Sequence, residues 1–528
     1  MKFGRRAFML VIAAAAAVAA CSAPASNAGP GASASGTIPL LRVGTNFPIN
    51  TLNPVTNGGN AGLIDQLSLE TLLNLGPNNT LKPELATSVS HPDPVTYVYH
   101  LRPGVKFWDG HPLTAGDVVF SWAAYRSPSS TYAAQFTAVK DIKASGPLAV
   151  TVTLSQPNAA WPYVPTQVGG VFEKAFYQAH QATFGNAGTL LMGTGPWEVD
   201  DFGTTGAKLS ANPHWWGGTV PVKRVTVTTF AEESSIALAM RAGEIDVDPY
   251  VLDTATFASS SGAKMLNSLT NTLAVFSMNT EVPPWNDVHV RRAAAYALNR
   301  ADIIAAAAGY NVPVYTYYMP AYLRAMASPA QVNALLGSVP QYRYDVAAAK
   351  AELAKSAYPH GVSVVLHEYT YGSSVNTAEV VAAELQKVGI NAQVKVDENT
   401  AWEASTVGPD AKRPSYFSTG YCGGPDISSC DAYLGSSNLP QGHQNTAVWA
   451  PPAVDGLLKA ALGATTPAAR FTAYAQITKT IQADLPYIGL YQEGVSVGIS
   501  SQFTVPGYAS NPPLSALNDY ALYIKAAR

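Results

Sequence analysis

The chain has 528 residues, 47% hydrophobic and 13% charged, with a formal net charge of −3 at pH 7. That length predicts two or three domains of ordinary size, and 32 basic against 35 acidic residues leave no basic excess to favour nucleic acid or anionic lipid as a partner. Nine histidines and three cysteines, with no histidine pair at i, i+4 and no cluster of the two types, predict no direct metal site.

At the start, Lys2, Arg5 and Arg6 precede an apolar run from Met9 to Ala20, which ends in Val18-Ala19-Ala20-Cys21. This is a secretory leader layout, and the run is well short of the roughly 20 residues that span a bilayer. The small residues before Cys21 resemble a bacterial lipobox, in which the cysteine is acylated and becomes the new N-terminus. An ordinary leader cut nearby, with Cys21 incidental, is the alternative. Arg5-Arg6-Ala7-Phe8 also partly resembles a twin-arginine export signal. Residues 22–36 are Ser, Ala, Gly, Pro and Asn, too polar and too small to bury a core, and predict a flexible tether.

Beyond the tether, residues 97–101 and 151–155 alternate as half-buried strands do. Between them, Thr114-Ala-Gly-Asp117 predicts a helix N-cap with a carboxylate at N3, followed by Val118, Trp122 and Tyr125 on one face. Asp345 predicts a second cap, with Val346, Ala349 and Leu353 on the helix after it. Residues 362–366 predict a strand, 377–388 a helix ended by Gly389, and 390–396 another strand, which together make a βαβ crossover and so a parallel sheet. Cys422 and Cys430 lie eight apart in a chain that leaves the reducing cytosol, so a disulfide closing that loop is expected. Thr466-Pro467 predicts the start of a last long helix.

Residues Leu69 to Trp122 carry a more specific pattern, above all Leu101-Arg-Pro-Gly-Val-Lys-Phe-Trp-Asp-Gly110 followed by Thr114-Ala-Gly-Asp-Val118. This resembles the signature region of the bacterial extracellular solute-binding proteins that serve peptide and nickel ABC importers (family 5). Gly193-Thr-Gly-Pro-Trp197, Ala211-Asn-Pro-His-Trp-Trp216, Ala242-Gly-Glu-Ile-Asp246, Phe276-Ser-Met-Asn279 and Asp287-Val-His-Val-Arg-Arg292 resemble further family motifs at family spacing. Most of these residues have structural explanations: Pro103, Gly104 and Gly110 punctuate turns, and Arg102, Arg291 and Arg292 suit packing or ion pairs.

The resemblance implies an α/β, two-lobed periplasmic-binding-protein-like fold of the class II type, with an extra subdomain in the first lobe. Residues 1–21 would be the leader with lipidated Cys21, and 22–36 the tether. Residues 37–272 plus 488–528 would form domain I, with an insertion at about 65–190, and 273–487 domain II. It also implies a cofactor-free monomer that binds a peptide or other small solute between the lobes, serves an ABC permease, is held at the membrane by its lipid, and performs no catalysis. In many peptide-binding relatives an aspartate of the loop corresponding to Gly420–Tyr433 pairs with the ligand's amino group. Asp426 is the first candidate here and Asp431 the second. Further candidate contacts are Asn57, Gly58, Gly59, Phe276, Met278, Asn279, Trp402 and Tyr421. The alternatives are another solute (nickel chelate, haem or oligosaccharide), a surface receptor, or an exported hydrolase. No Gly-x-Ser-x-Gly, His-Glu-x-x-His or phosphate loop supports the last.

Overall fold

A computed structural model describes residues 36–57, 62–76, 79–370, 372–409, 412–439, 444–508 and 521–527. Cys21, the leader, nearly all of the tether, Gly58 and Gly59 lie outside the described residues.

Local signals fold as their chemistry dictates. Thr114 caps the helix Ala115–Tyr125 in a capping box, with its own amide donating to Asp117 Oδ2 at 2.9 Å. That helix buries Val118, Trp122 and Tyr125 against an antiparallel four-stranded sheet ordered Ala86–Asp93, Thr96–Leu101, Ala149–Leu154 and Val139–Gly146. Val362–Tyr369 and Ile390–Asp397 pair in parallel across the helix Ser374–Gln386, so the βαβ unit forms. Gly389, at φ 95°, makes the left-handed turn out of the helix, which a residue with a Cβ enters only at a cost. Asp345 and Thr466 cap Val346–Leu353 and Pro467–Asp484 as expected.

One nine-stranded sheet ties the molecule together. Its spine is a pair of long antiparallel strands, Lys264–Ser277 and Tyr487–Ile499. At one end, residues 496–499 pair with Val247–Val251, which leads on to the parallel strands Leu41–Thr45 and Arg224–Thr229. At the other end, residues 272–277 pair with Tyr416–Cys422. The ladder between the two long strands is interrupted where Leu269 pairs with Gly494 and the next partner is Leu273 with Gln492. An interruption of this kind bends a sheet and weakens its pairing locally.

The apolar core divides at the same place. A first cluster gathers Leu41, Val43, Trp122, Trp197 and Val225 with Val497 and Ile499 from the chain's last part. Beyond the interruption, Lys264–Ser277 is buried on both faces: Ala274 and Phe276 pack with Leu366, Val381 and Ile488, while Leu273 and Val275 pack with Tyr317, Tyr421 and Tyr474. The architecture is two-lobed and α/β, with the crossing strands as the only covalent spine described between the cores.

Candidate functional site

Between the lobes runs a crevice in three compartments, each lined from both sides. The innermost, about 540 Å³, abuts the strand interruption: Leu269 to Thr272 and Val495 form its floor. The other two, about 280 and 910 Å³, lie further out. Pro425 borders all three, and the loop that carries it divides them. The outer 910 Å³ space is the largest, but the inner one has the form of a solute site. It sits at the hinge-like break and combines tyrosine rings with amides and hydroxyls, the lining expected for recognition of a small ligand. The lobes touch beside it, where Asn79 donates Nδ2 to Asn271 Oδ1 at 3.1 Å and to the Pro425 carbonyl at 3.0 Å.

Several residues expected in the crevice are elsewhere, for identifiable reasons. Phe276 and Met278 are fully buried, Phe276 edge-on to Trp285, because the crossing strand is covered on both faces there. Asn279 is equally buried; its amide donates to the Arg413 carbonyl and its Oδ1 accepts from the Glu281 amide, so it fastens a turn. Tyr421 lies in the second lobe's aromatic core, its hydroxyl bonded to Tyr416 and Thr446 and its ring 4.1 Å from that of Tyr433. Trp402 packs on Tyr369 and is buried as well. These five are core residues.

Asp426 does border the two outer compartments. Its carboxylate is already occupied, with Arg470 donating Nη1 to Oδ2 at 2.7 Å and Nη2 to Oδ1 at 2.6 Å. Oδ1 also accepts from the Ser428 amide at 3.0 Å. Both partners are nearly inaccessible, so this is a bidentate buried pair with both oxygens engaged by Arg470. Asp431 is likewise committed, to the hydroxyls of Tyr318 and Tyr474 at 2.9 and 2.8 Å, and burial pushes it up to about 7. The Cys422–Cys430 bridge closes the loop that presents Asp426, and Asp431 follows directly after it.

Asn57 is buried under the inner compartment, donating Nδ2 to Asp65 Oδ2 at 2.6 Å. Asp65 itself lines the compartment. Its sequence context does not single it out, since a lone acid on a short helix ordinarily lies on a solvated face. The only available hint was the absence of a basic residue at helical spacing around it. Outside the crevice, His111 Nδ1 lies 2.8 Å from Asp109 Oδ2 and 2.9 Å from Glu173 Oε1, a proton-sharing trio that the sequence did not suggest. Arg102 stacks over Trp216, and Arg291 and Arg292 bond carbonyls, which agrees with packing roles.

The profile for "bacterial extracellular solute-binding proteins, family 5 middle" matches residues 80–438. The chain belongs to this family. Among its relatives, Protein XP55 of Streptomyces lividans is 28% identical over 513 residues, covering 91% of this chain and 88% of that one. The ABC transporter substrate-binding protein CtaP of Listeria monocytogenes superposes with a TM-score of 0.79 at 20% identity, over 93% of this chain and all of that one. DppA of Helicobacter pylori, a periplasmic binding protein solved with the peptide STSA, has a TM-score of 0.71 at 21% identity, over 93% of this chain and 99% of that one. The family is one of extracellular binding proteins, which places capture of a solute outside the cytoplasm.

Proposed function

We propose that this protein captures short peptides in the inner compartment, closes around them by bending at the interrupted strands, and presents the closed form to an ABC permease. The observation that carries the reading is the compartment itself, about 540 Å³ between two lobes and floored by the strand break. Closure would act as a hinge, with the ligand supplying the differential affinity for the closed state. Asn74 and Leu75, from the short two-stranded hairpin Leu73–Leu75 with Leu81–Pro83, lie on its wall, where an extended peptide can exchange main-chain hydrogen bonds. The peptide seen in the DppA relative supports the same ligand class.

Residues 37–272 with 488–528 would act as the first lobe and 273–487 as the second, a division that the separate cores support. The protein would act as a monomer without cofactor or catalysis, tethered by a lipid on Cys21. Native mass spectrometry of protein purified without denaturation tests the ligand class. A ladder of short-peptide masses is expected, and a single sugar or metallophore mass would overturn it. Fractionation tests the anchor: Cys21→Ser should release the protein from membranes, and unchanged retention would remove the lipid from the account.

A further inference from the structure

We propose that Asp65 grips a protonated amine of the bound solute, and that the inner compartment therefore selects ligands with a free amino group and rejects anions. This rests on the inner compartment being the solute site. The geometry begins with the helix Gly62–Ser68, which buries Leu63, Ile64 and Leu67 in the first core and leaves Asp65 on the crevice wall. One tyrosine and an amide organise the carboxylate. Tyr132 donates its hydroxyl to Asn57 Oδ1 at 3.3 Å, Asn57 donates to Asp65 Oδ2, and Tyr125 shares the same wall. All of that support reaches Oδ2. Oδ1 is shielded from solvent and has no hydrogen-bond partner.

An ionised carboxylate oxygen accepts two hydrogen bonds, and leaving it empty in a shielded site is costly. Elsewhere in this molecule a buried carboxylate with an orphaned oxygen also occurs at Asp248, Glu368 and Glu384, but none of these lines any of the three compartments. Asp65 is the one whose missing partner could arrive from outside.

The charge of the compartment points the same way. Among the described residues its lining contains two acids, Asp65 and Glu84, and no lysine, arginine or histidine. Glu84 is already turned to structure, with Oε2 accepting from the Thr71 amide and hydroxyl at 2.7 Å each. A ligand carboxylate would find no counter-charge in this lining, whereas an ammonium finds Asp65, with Tyr125, Tyr132 and Tyr250 in the same lining. Burial pushes Asp65 up to about 7, with Asn57 opposing. An arriving ammonium favours the ionised form, so binding below neutrality should release a proton. The other titratable side chains that border Asp65 in this corner are Tyr132 and Tyr125, and burial pushes Tyr125 well above its ordinary range.

The test uses the mature wild-type protein and Asp65→Asn, with a randomised library of three- to five-residue peptides, half of it N-acetylated. Equilibrium dialysis with mass-spectrometric readout should show wild type retaining free-amino peptides at least tenfold over acetylated ones, and Asp65→Asn retaining both equally. Equal retention by the wild type, or an undiminished preference in the variant, overturns the inference while leaving peptide capture intact. Retention of neither library by the wild type instead overturns the peptide reading. In that case 1,5-diaminopentane is the probe: calorimetric binding by wild type that the variant loses upholds the amine site, and no binding overturns it. If the variant does not fold, the wild-type comparison can still overturn the inference, since equal retention of the two libraries leaves no amine site to assign.

Discussion

Two aspartates face the same crevice from opposite lobes, and they are in opposite conditions. Asp426 holds Arg470 through both oxygens in a buried bidentate pair. Asp65 holds one amide hydrogen on one oxygen and nothing on the other. A carboxylate near a ligand space is therefore informative only after its partners are counted. The residue expected as an anchor is a rivet, and the acid that the sequence does not single out keeps one oxygen without a hydrogen-bond partner.

The contrast can be broken most sharply at Asp426. Asp426→Ala should leave Arg470 charged and unpaired in a buried site and cost about 3–5 kcal/mol in urea unfolding. Asp426→Leu with Arg470→Met should recover most of that loss, because removing both charges leaves none stranded. If Asp426→Ala unfolds like wild type and instead loses peptide affinity, the roles of the two acids are reversed.

The bridge Cys422–Cys430, with a sequence separation of 8, braces the Asp426 side only. Replacing both cysteines by serine should cost about 2–3 kcal/mol by loop-closure entropy. The preference for free-amino peptides should survive, and its loss would tie ligand choice to the Asp426 loop.

The pH dependence sharpens the other half. Asp65 is raised from 3.8 to about 7, so its contribution favours the folded state at low pH and is lost as pH rises through 7. Asp65→Asn avoids that loss. The ligand-free variant should therefore be more stable than wild type at pH 8.5 by about 2 kcal/mol, after allowance for partial exposure, and no more stable below pH 4. Asp248 and Glu368, pushed by burial to about 7 and about 8, tilt the whole protein the same way. Its melting temperature should thus be higher at pH 5.5 than at pH 9, and the opposite order would refute the protonated buried acids. The smallest effect is expected for Tyr132→Phe, which removes one 3.3 Å donor from Asn57. It should weaken amine binding two- to threefold in calorimetry and change stability by under about 1 kcal/mol.

What could be read in the sequence was what short-range chemistry decides. The Thr114–Asp117 box, the caps at Asp345 and Thr466, and the glycine after Ser374–Gln386 each involve groups a few residues apart. Family motifs then supplied the two-lobed assembly, which no local pattern specifies. The site was less accessible, because burial on a crossing strand depends on partners far along the chain. Phe276 and Tyr421 are aromatics near a lobe junction, and only the packing of Trp285 and Tyr433 against them removes them from the crevice. Asp426 and Arg470 are 44 residues apart, so their pairing left no trace in spacing. Asp65 was invisible for the converse reason, since its significance lies in a partner that is missing.

The interruption between Leu269 and Leu273 has a mechanical consequence. Backbone pairing resumes on either side, and within the gap the two strands are held by side chains instead, Thr270 Oγ1 donating to the Glu493 carbonyl at 2.9 Å and Gln492 Nε2 to the Thr270 carbonyl at 2.7 Å. The spine residues 269–272 line the inner compartment, while the proposed Asp65 corner stands apart from them on the helix Gly62–Ser68. A substitution in that corner could retune what is carried and leave the speed of the jaw as it was.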